Sequence, residues 1–226
     1  MTTATPGTAT RSYTPRSAAQ MSQRIVQDIP EGAYVNLGIG RPMDIANHLP
    51  SDREIILQSE NGILGMGPMA VGDEIDPELV NAGKQNVTLV KGGAIFHHGD
   101  SFGMIRGGHI DICVLGAFQV SVAGDLANWR TLDRDAIPAV GGAMDLAYGA
   151  KQVFVVMEHL TKDGVSKIVQ ACSYPLTGVR VVDRIYTDLA TLQVTPAGLH
   201  VVDTVDGLSH TELESLTGLA LLRSKA

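Results

Sequence analysis

Apolar and polar positions along the chain repeat in a fixed order: a short continuous apolar run, a glycine, then a stretch with helical spacing. In "MSQRIVQDIPEG", Met21, Ile25 and Ile29 fall on one helical face with Val26 beside them. Pro30 and Gly32 end that helix. "AYVNLGIG" reads as a buried strand running into glycine, and "PMDIANHLP" as a helix that opens on Pro42 and stops before Pro50. "EIILQSE", "VTLV" (87–90), "DICVLGAFQV" and "QVFVVMEH" are further strands, and "SFGMIRGG" and "GGAMDLAYGAK" are helices. Strands without polar alternation suit a parallel sheet covered on both faces. The last third differs. "GVSKIVQAC", "GVRVVDRIYTDLATLQVT" and "GLHVVDTVDG" are strands separated by short turns such as "PAG", as in antiparallel hairpins. "SHTELESLTG" is a closing helix, with Ser209 and Glu212 as a capping box and Gly218 as the stop. The predicted class is α/β: a mostly parallel sheet with helices on both faces and added C-terminal antiparallel strands.

The periodic pattern starts at residue 21. Residues 1–20 are rich in Thr, Ala, Ser and Pro, and Pro6 and Pro15 interrupt any amphipathic helix. They read as a disordered tail, which leaves residues 21–226 as one domain. The chain has 226 residues, 44% hydrophobic and 18% charged, enough for one globular core. No apolar run approaches the roughly 20 residues that span a bilayer, so no membrane partner is expected. The formal net charge of −7 argues against nucleic acid and anionic membrane as partners. Cys113 and Cys172 lie in strand-like runs with no metal spacing and read as structural thiols of a cytoplasmic protein.

One stretch resists a purely structural reading. In "QSENGILGMGP" a buried strand ends in a carboxylate, Glu60, followed at once by Asn61 and Gly62 and soon by Gly65, Gly67 and Pro68. A turn that points Glu60 into water is the simplest account. Against it, the carboxyl ends of strands in such sheets are where ligands bind. The glycine turns at 38–40, 62–67, 92–93, 107–108 and 141–142 should gather along that edge. Backbone N–H groups freed by glycine can hold an oxyanion, and a carboxylate beside them can act as a covalent catalyst.

"SENGILGMGP" resembles the signature of class I CoA-transferases, in particular the B (β) subunit of 3-oxoacid CoA-transferases. "GDLANW", "AVGGAMDLAYGAKQVFVVMEH" and "YPLTG…VDRIYTDLA" are similar to the same family, and the resemblance runs over residues 21–218. It implies the family's sugar-phosphate-isomerase-like fold. It implies a ping-pong transfer of CoA from succinyl-CoA to a 3-oxoacid, with Glu60 as the nucleophile that carries CoA as a thioester. It implies no metal and no cofactor, coenzyme A being a substrate. A separate CoA-transferase chain of the A type is implied as partner, in a heterodimer or an A₂B₂ heterotetramer. Asn61, Gly62, Gly141 and Gly142 are the implied substrate- or CoA-binding residues. For Asn61 and Gly62, shaping the turn is an equal alternative to contact; for Gly141 and Gly142, tight strand-to-helix packing is.

Segments such as "FHHGDSF" and "DAIPAVGGAMD" resemble 3-oxoadipate enzymes more than acetoacetate enzymes. An acetoacetate transferase, a CoA-ester hydrolase and a non-catalytic ligand-binding relative are the competing readings. A second carboxylate on 3-oxoadipate calls for a cation, with Arg106 and Arg41 as candidates, although Arg106 is expected to pair with Asp100 or Asp111. His97 and His98 are expected on a strand, facing opposite sides, one buried and one near the pocket. Trp129 is expected to be a packing anchor.

Overall fold

The computed structural model describes residues 13–133, 135 and 137–223. In chain order the strands are β1 (Tyr34–Leu37), β2 (Ile56–Ser59), β3 (Ile63–Met69), β4 (Val87–Ile95), β5 (Ile112–Gly116), β6 (Gln119–Ser121), β7 (Leu126–Ala127), β8 (Gln152–Met157), β9 (Ile168–Val169), β10 (Arg184–Thr187), β11 (Ala190–Thr195), β12 (Gly198–Thr204) and β13 (Leu222–Arg223). The α-helices are α1 (Ala18–Asp28), α2 (His98–Arg106), α3 (Ala143–Gly149) and α4 (His210–Thr217).

Among the described residues, one large sheet has the order β13-β12-β11-β10-β8-β5-β1-β2-β3-β4. Its centre, β10-β8-β5-β1-β2, is parallel throughout. Antiparallel strands flank it on both sides: β11 and β12 beyond β10, and β3 and β4 beyond β2. The C-terminal flank matches the sequence expectation. The β3–β4 flank does not, because "ILGMGPM" has glycines at alternate positions and so lacks the apolar run of a strand.

The central strands are buried on both faces, and successive side chains enter different cores. On β5, Cys113 and Leu115 join a cluster with Ile105 of α2, Leu146 of α3 and Leu213 of α4. Ile112 and Val114 join the opposite cluster with Met21, Ile25 and Val26 of α1. β6, β7 and β9 form a small separate sheet. Of the run "GVSKIVQAC", only Ile168–Val169 is strand, and it lies in this small sheet. The segment "RPMDIANH" is a 3₁₀ helix, Arg41–His48, with buried Pro42, Met43, Ile45 and Ala46.

The tail expectation needs correction for residues 13–20; residues 1–12 lie outside the described residues. Tyr13 is 8% exposed and belongs to the core beneath α2, α3 and α4. Arg16 pairs with Asp203, and its backbone N–H donates to the Asp188 carbonyl at 2.7 Å. Ser17 caps α1, accepting from Gln20 N at 3.2 Å while the Gln20 side chain accepts from Ser17 N at 2.8 Å. The polar composition misled because these residues hold on through one aromatic ring, a charge and a capping box.

Candidate active site

Chain order reverses across β1: β2 lies on one side and β5 on the other. A crevice outside the carboxyl ends of parallel strands is expected at such a point. A cavity of about 470 Å³ occupies it. Its lining comes from segments at or just beyond the ends of four strands: Gly38, Ile39 and Arg41 after β1, Glu60 after β2, Leu115–Phe118 at β5, and Val156–Glu158 at β8. Gly141 and Gly142, before α3, close another side.

Glu60 is the first residue past β2 and is half-buried. Its turn is closed by a hydrogen bond from Gly62 N to Ser59 O at 2.9 Å. Gly62 has φ +119, and a Cβ there would lie 2.2 Å from the Phe96 carbonyl oxygen, so no other residue fits this turn. Asn61 donates through Nδ2 to Val80 O at 2.7 Å. Neither Asn61 nor Gly62 lines the cavity; both shape the turn that presents Glu60. Gly65 and Gly67 lie within β3 and face Gly93 and Thr88 of β4, so they serve close strand approach rather than the ligand edge.

A buried polar chain lies behind Glu60. Asn36 on β1 donates through Nδ2 to the side-chain oxygen of Gln58 on β2. Gln58 Nε2 donates to Ser101 Oγ of α2 at 2.6 Å, and Ser101 Oγ donates to Ser59 O at 3.4 Å. Gln58 and Ser101 are 0% exposed. Asn36 Oδ1 is buried and has no hydrogen-bond partner among the described residues. A parallel sheet has no need of polar groups here, and leaving one unpaired costs stability. What the chain achieves is to fix the backbone immediately before Glu60 against the start of α2.

Burial raises the Glu60 pKa above the ordinary carboxylate range; His98 lowers it, and Asp145 raises it. A more basic carboxylate is a better nucleophile once ionised. Gly142 touches this group: a Cβ on Gly142 would lie 2.5 Å from Glu60 Oε2. Gly142 therefore allows backbone to approach the carboxylate. Gly141 has φ +49 and open space where its Cβ would be, so it serves the turn.

Other expectations change. His97 caps α2 through Nδ1, which accepts from Gly99 N at 3.0 Å, and His98 opens the helix and packs on Phe102 with ring centroids 4.7 Å apart. β4 ends at Ile95, so the two histidines do not share a strand, and both are exposed. Arg106 pairs with Asp145 at 2.7 Å, outside the cavity, whereas Asp111 pairs with Lys151 at 2.7 Å. Arg41 lines the cavity and pairs with Glu158 at 2.6 Å. Trp129 is half-buried and donates through Nε1 to Leu176 O at 3.2 Å, holding two loops together. Sequence reasoning passed over Gln58, Ser101, Glu158 and Lys167. Two of them carried a signal: a glutamine inside "IILQ" and a lysine inside the strand-like "SKIV".

The coenzyme A transferase family profile matches residues 18–207. The chain belongs to this family. The B subunit of a 3-oxoadipate CoA-transferase from Pseudomonas putida is 62% identical over 207 residues, covering 92% of this chain and 97% of the relative. The B subunit of a probable succinyl-CoA:3-ketoacid coenzyme A transferase from Bacillus subtilis is 46% identical over 198 residues, covering 88% and 91%. An acyl-CoA transferase apoenzyme of Escherichia coli O157:H7 shares the fold with a TM-score of 0.72 at 19% identity, over 92% of this chain and 42% of that one. Within the family fold, the parallel centre with C-terminal antiparallel strands is as the sequence predicted, and Glu60 stands at the carboxyl end of β2 in that centre.

Proposed function

We propose that this chain is the B subunit of a heteromeric CoA-transferase that moves CoA from succinyl-CoA to 3-oxoadipate, with Glu60 as nucleophile. The observation that carries the reading is the half-buried Glu60 carboxylate, held against Gly142 at the cavity where the parallel strands end. Greater identity to a 3-oxoadipate enzyme than to a 3-ketoacid enzyme favours 3-oxoadipate as acceptor.

The Glu60 carboxylate attacks the thioester carbonyl of succinyl-CoA and expels CoA thiolate, giving a mixed anhydride. The thiolate attacks the Glu60 side-chain carbonyl and releases succinate, giving a glutamyl-CoA thioester. The carboxylate of 3-oxoadipate attacks that thioester, and thiolate is expelled again. Thiolate then attacks the new acyl carbonyl, which frees Glu60 and yields 3-oxoadipyl-CoA. Anhydride and thioester are both activated acyl groups, so each step runs without a metal or redox cofactor. Binding of CoA away from its sulfur supplies energy used in the transition states.

A partner chain of the A type completes the site. Ile39 is 63% exposed and Phe118 40% exposed although both line the cavity, which suits burial against a partner chain. Free Cys113 and Cys172 suit a reducing cytoplasm. Among the described residues, no helix is long and apolar enough to cross a membrane.

The test is an acceptor screen with succinyl-CoA on the chain co-expressed with its A-type partner, comparing 3-oxoadipate with acetoacetate. Borohydride after succinyl-CoA should inactivate the enzyme by reducing the thioester, and Glu60→Gln should abolish turnover. A Glu60→Gln enzyme that turns over, or release of free CoA without any acceptor, overturns the reading. Full activity from this chain alone removes the partner from it.

A further inference from the structure

We propose that Lys167 is the cavity's receptor for the distal carboxylate of dicarboxylic acyl groups, the carboxylate that takes no part in transfer. This rests on the transferase reading above and adds the substrate class the cavity selects.

Among the described residues, four charged side chains line the cavity: Arg41, Glu60, Glu158 and Lys167. Arg41 and Glu158 neutralise each other at 2.6 Å. Glu60 loses its charge when it becomes an anhydride or a thioester. What remains is the ammonium of Lys167, with no hydrogen bond or ion pair of its own among the described residues. The bound acyl group therefore faces one net positive charge, enough for one carboxylate. A group of this kind in a cavity whose lining includes the apolar Leu115, Val156 and Met157 is costly to keep charged until an anion arrives. Burial accordingly holds its pKa below the usual lysine range, with Arg41 adding to the effect and Glu158 and Asp188 opposing it.

The position is built. Lys167 N donates to His159 O at 3.0 Å and Lys167 O accepts from Val120 N at 3.0 Å, so the backbone is pinned between the end of β8 and β6. A four-carbon stem on a fixed backbone reaches acids of different length. Succinyl and 3-oxoadipyl groups differ in length but each carries one carboxylate beyond the reacting carbonyl. Arg41 has a second effect: by engaging Glu158 it keeps that carboxylate from capturing Lys167.

The experiment uses the complete enzyme with its A-type partner. In a ping-pong scheme kcat/KM for the acceptor reports only the steps from the glutamyl-CoA thioester. It is measured for 3-oxoadipate and for its 6-methyl ester, which has nearly the same length and lacks only the distal charge. In Lys167→Met the ratio of the two, acid over ester, should fall about 10- to 100-fold, the range for losing one charge-assisted hydrogen bond. Arg41→Ala should lower the same ratio by releasing Glu158, and Arg41→Ala combined with Glu158→Gln should restore it, which separates this effect from a direct role for Arg41 and tests the idea even if Lys167→Met fails to fold. A ratio unmoved in either folded variant, or an equal loss for both acceptors, overturns the proposal while leaving the transferase reading intact. A wild-type enzyme that passes CoA to neither acceptor overturns that reading instead, and this proposal with it.

Discussion

Gly142→Ala separates the fold from the chemistry at the cavity. Gly142 has φ −86 and ψ 5, a conformation that alanine adopts without strain. The added Cβ would sit 2.5 Å from Glu60 Oε2, 3.0 Å from Glu60 Cδ and 3.1 Å from Phe102 Cζ. Ordinary contact begins at 3.4 Å, so the carboxylate must retreat by about 1 Å. The atom that has to move ends a flexible side chain, so the move is cheap for stability. For a nucleophile, a 1 Å displacement costs about 10²-fold in rate. We expect kcat with succinyl-CoA and 3-oxoadipate to fall about 100-fold, equal to about 2.7 kcal/mol of barrier. Stability should hold or rise by about 0.5 kcal/mol, because alanine has less unfolded-state entropy to lose. Gly141→Ala is the control with the reverse signature. Its φ of +49 makes alanine strained by about 1 kcal/mol, but nothing lies within 4 Å of the new methyl, so Glu60 stays in place. Steady-state kinetics and thermal melts on both variants decide the matter. Gly142→Ala with near-normal kcat would falsify the claim that this glycine sets the carboxylate's position.

Further predictions concern the surroundings of Glu60 and the docked N-terminus. Ser101→Ala strands the buried Gln58 amide, so stability should drop about 1–3 kcal/mol and kcat should fall with little change in KM; a matching loss in KM alone would assign Ser101 to binding. The acid limb of kcat/KM for succinyl-CoA should lie above the ordinary glutamate range, and His98→Gln should move it to higher pH, because His98 lowers the Glu60 pKa; an unmoved limb separates the two groups. His159 accepts no charge easily: it is fully buried between Thr187 and Thr217, with its pKa pushed down to about 4 from 6.5. Below pH 6.5 the unfolded chain binds this proton and the folded chain does not, so stability should fall by about 3 kcal/mol as pH drops from 6.5 to 4, and melts of His159→Gln should show a shallower slope. Deleting residues 1–17 removes Tyr13, Arg16 and the Ser17 cap, and should cost about 3 kcal/mol; an unchanged melting temperature would show the segment contributes nothing.

The parallel centre was legible because its strands are apolar runs, and nothing but a two-sided core explains "ICVLG" or "QVFVVM". Glu60 stood out for another reason: a charge ends such a run beside several glycines, in a stretch, "SENGILGMGP", that resembles the CoA-transferase signature. Residues that act through long-range hydrogen bonds were not legible. Gln58 and Ser101 are 43 positions apart, and no local pattern announces that they meet. Lys167 escaped notice because a lysine in "SKIV" reads as an edge-strand charge until the chain is folded over the cavity. The docking of residues 13–17 was hidden similarly, since its partners, Thr191 and Asp203, lie at the far end of the chain.

The switch from parallel to antiparallel pairing at Glu60 also has a physical logic. A parallel strand must be followed by a crossover, which carries the chain away from the ligand edge. Had β2 been followed by a helix, the residue after Ser59 would have been free to adopt many directions. Instead the chain reverses within three residues into β3, through a turn only Gly62 can make. β3 then pairs with β4, and Ile63 opposite Ile95 with Phe96 N on Gly62 O ties the far side of the turn to the strand that leads into α2. α2 in turn supplies Ser101 to the near side. The peptide units on both sides of Glu60 are thus held by one continuous piece of structure, β4 through α2. Glu60 is left with side-chain freedom only, and Gly142 limits that. In the proposed mechanism Glu60 forms an anhydride and then a thioester at one carbon, which calls for a still backbone while the acyl partner changes, and the hairpin after β2 holds that backbone on both sides.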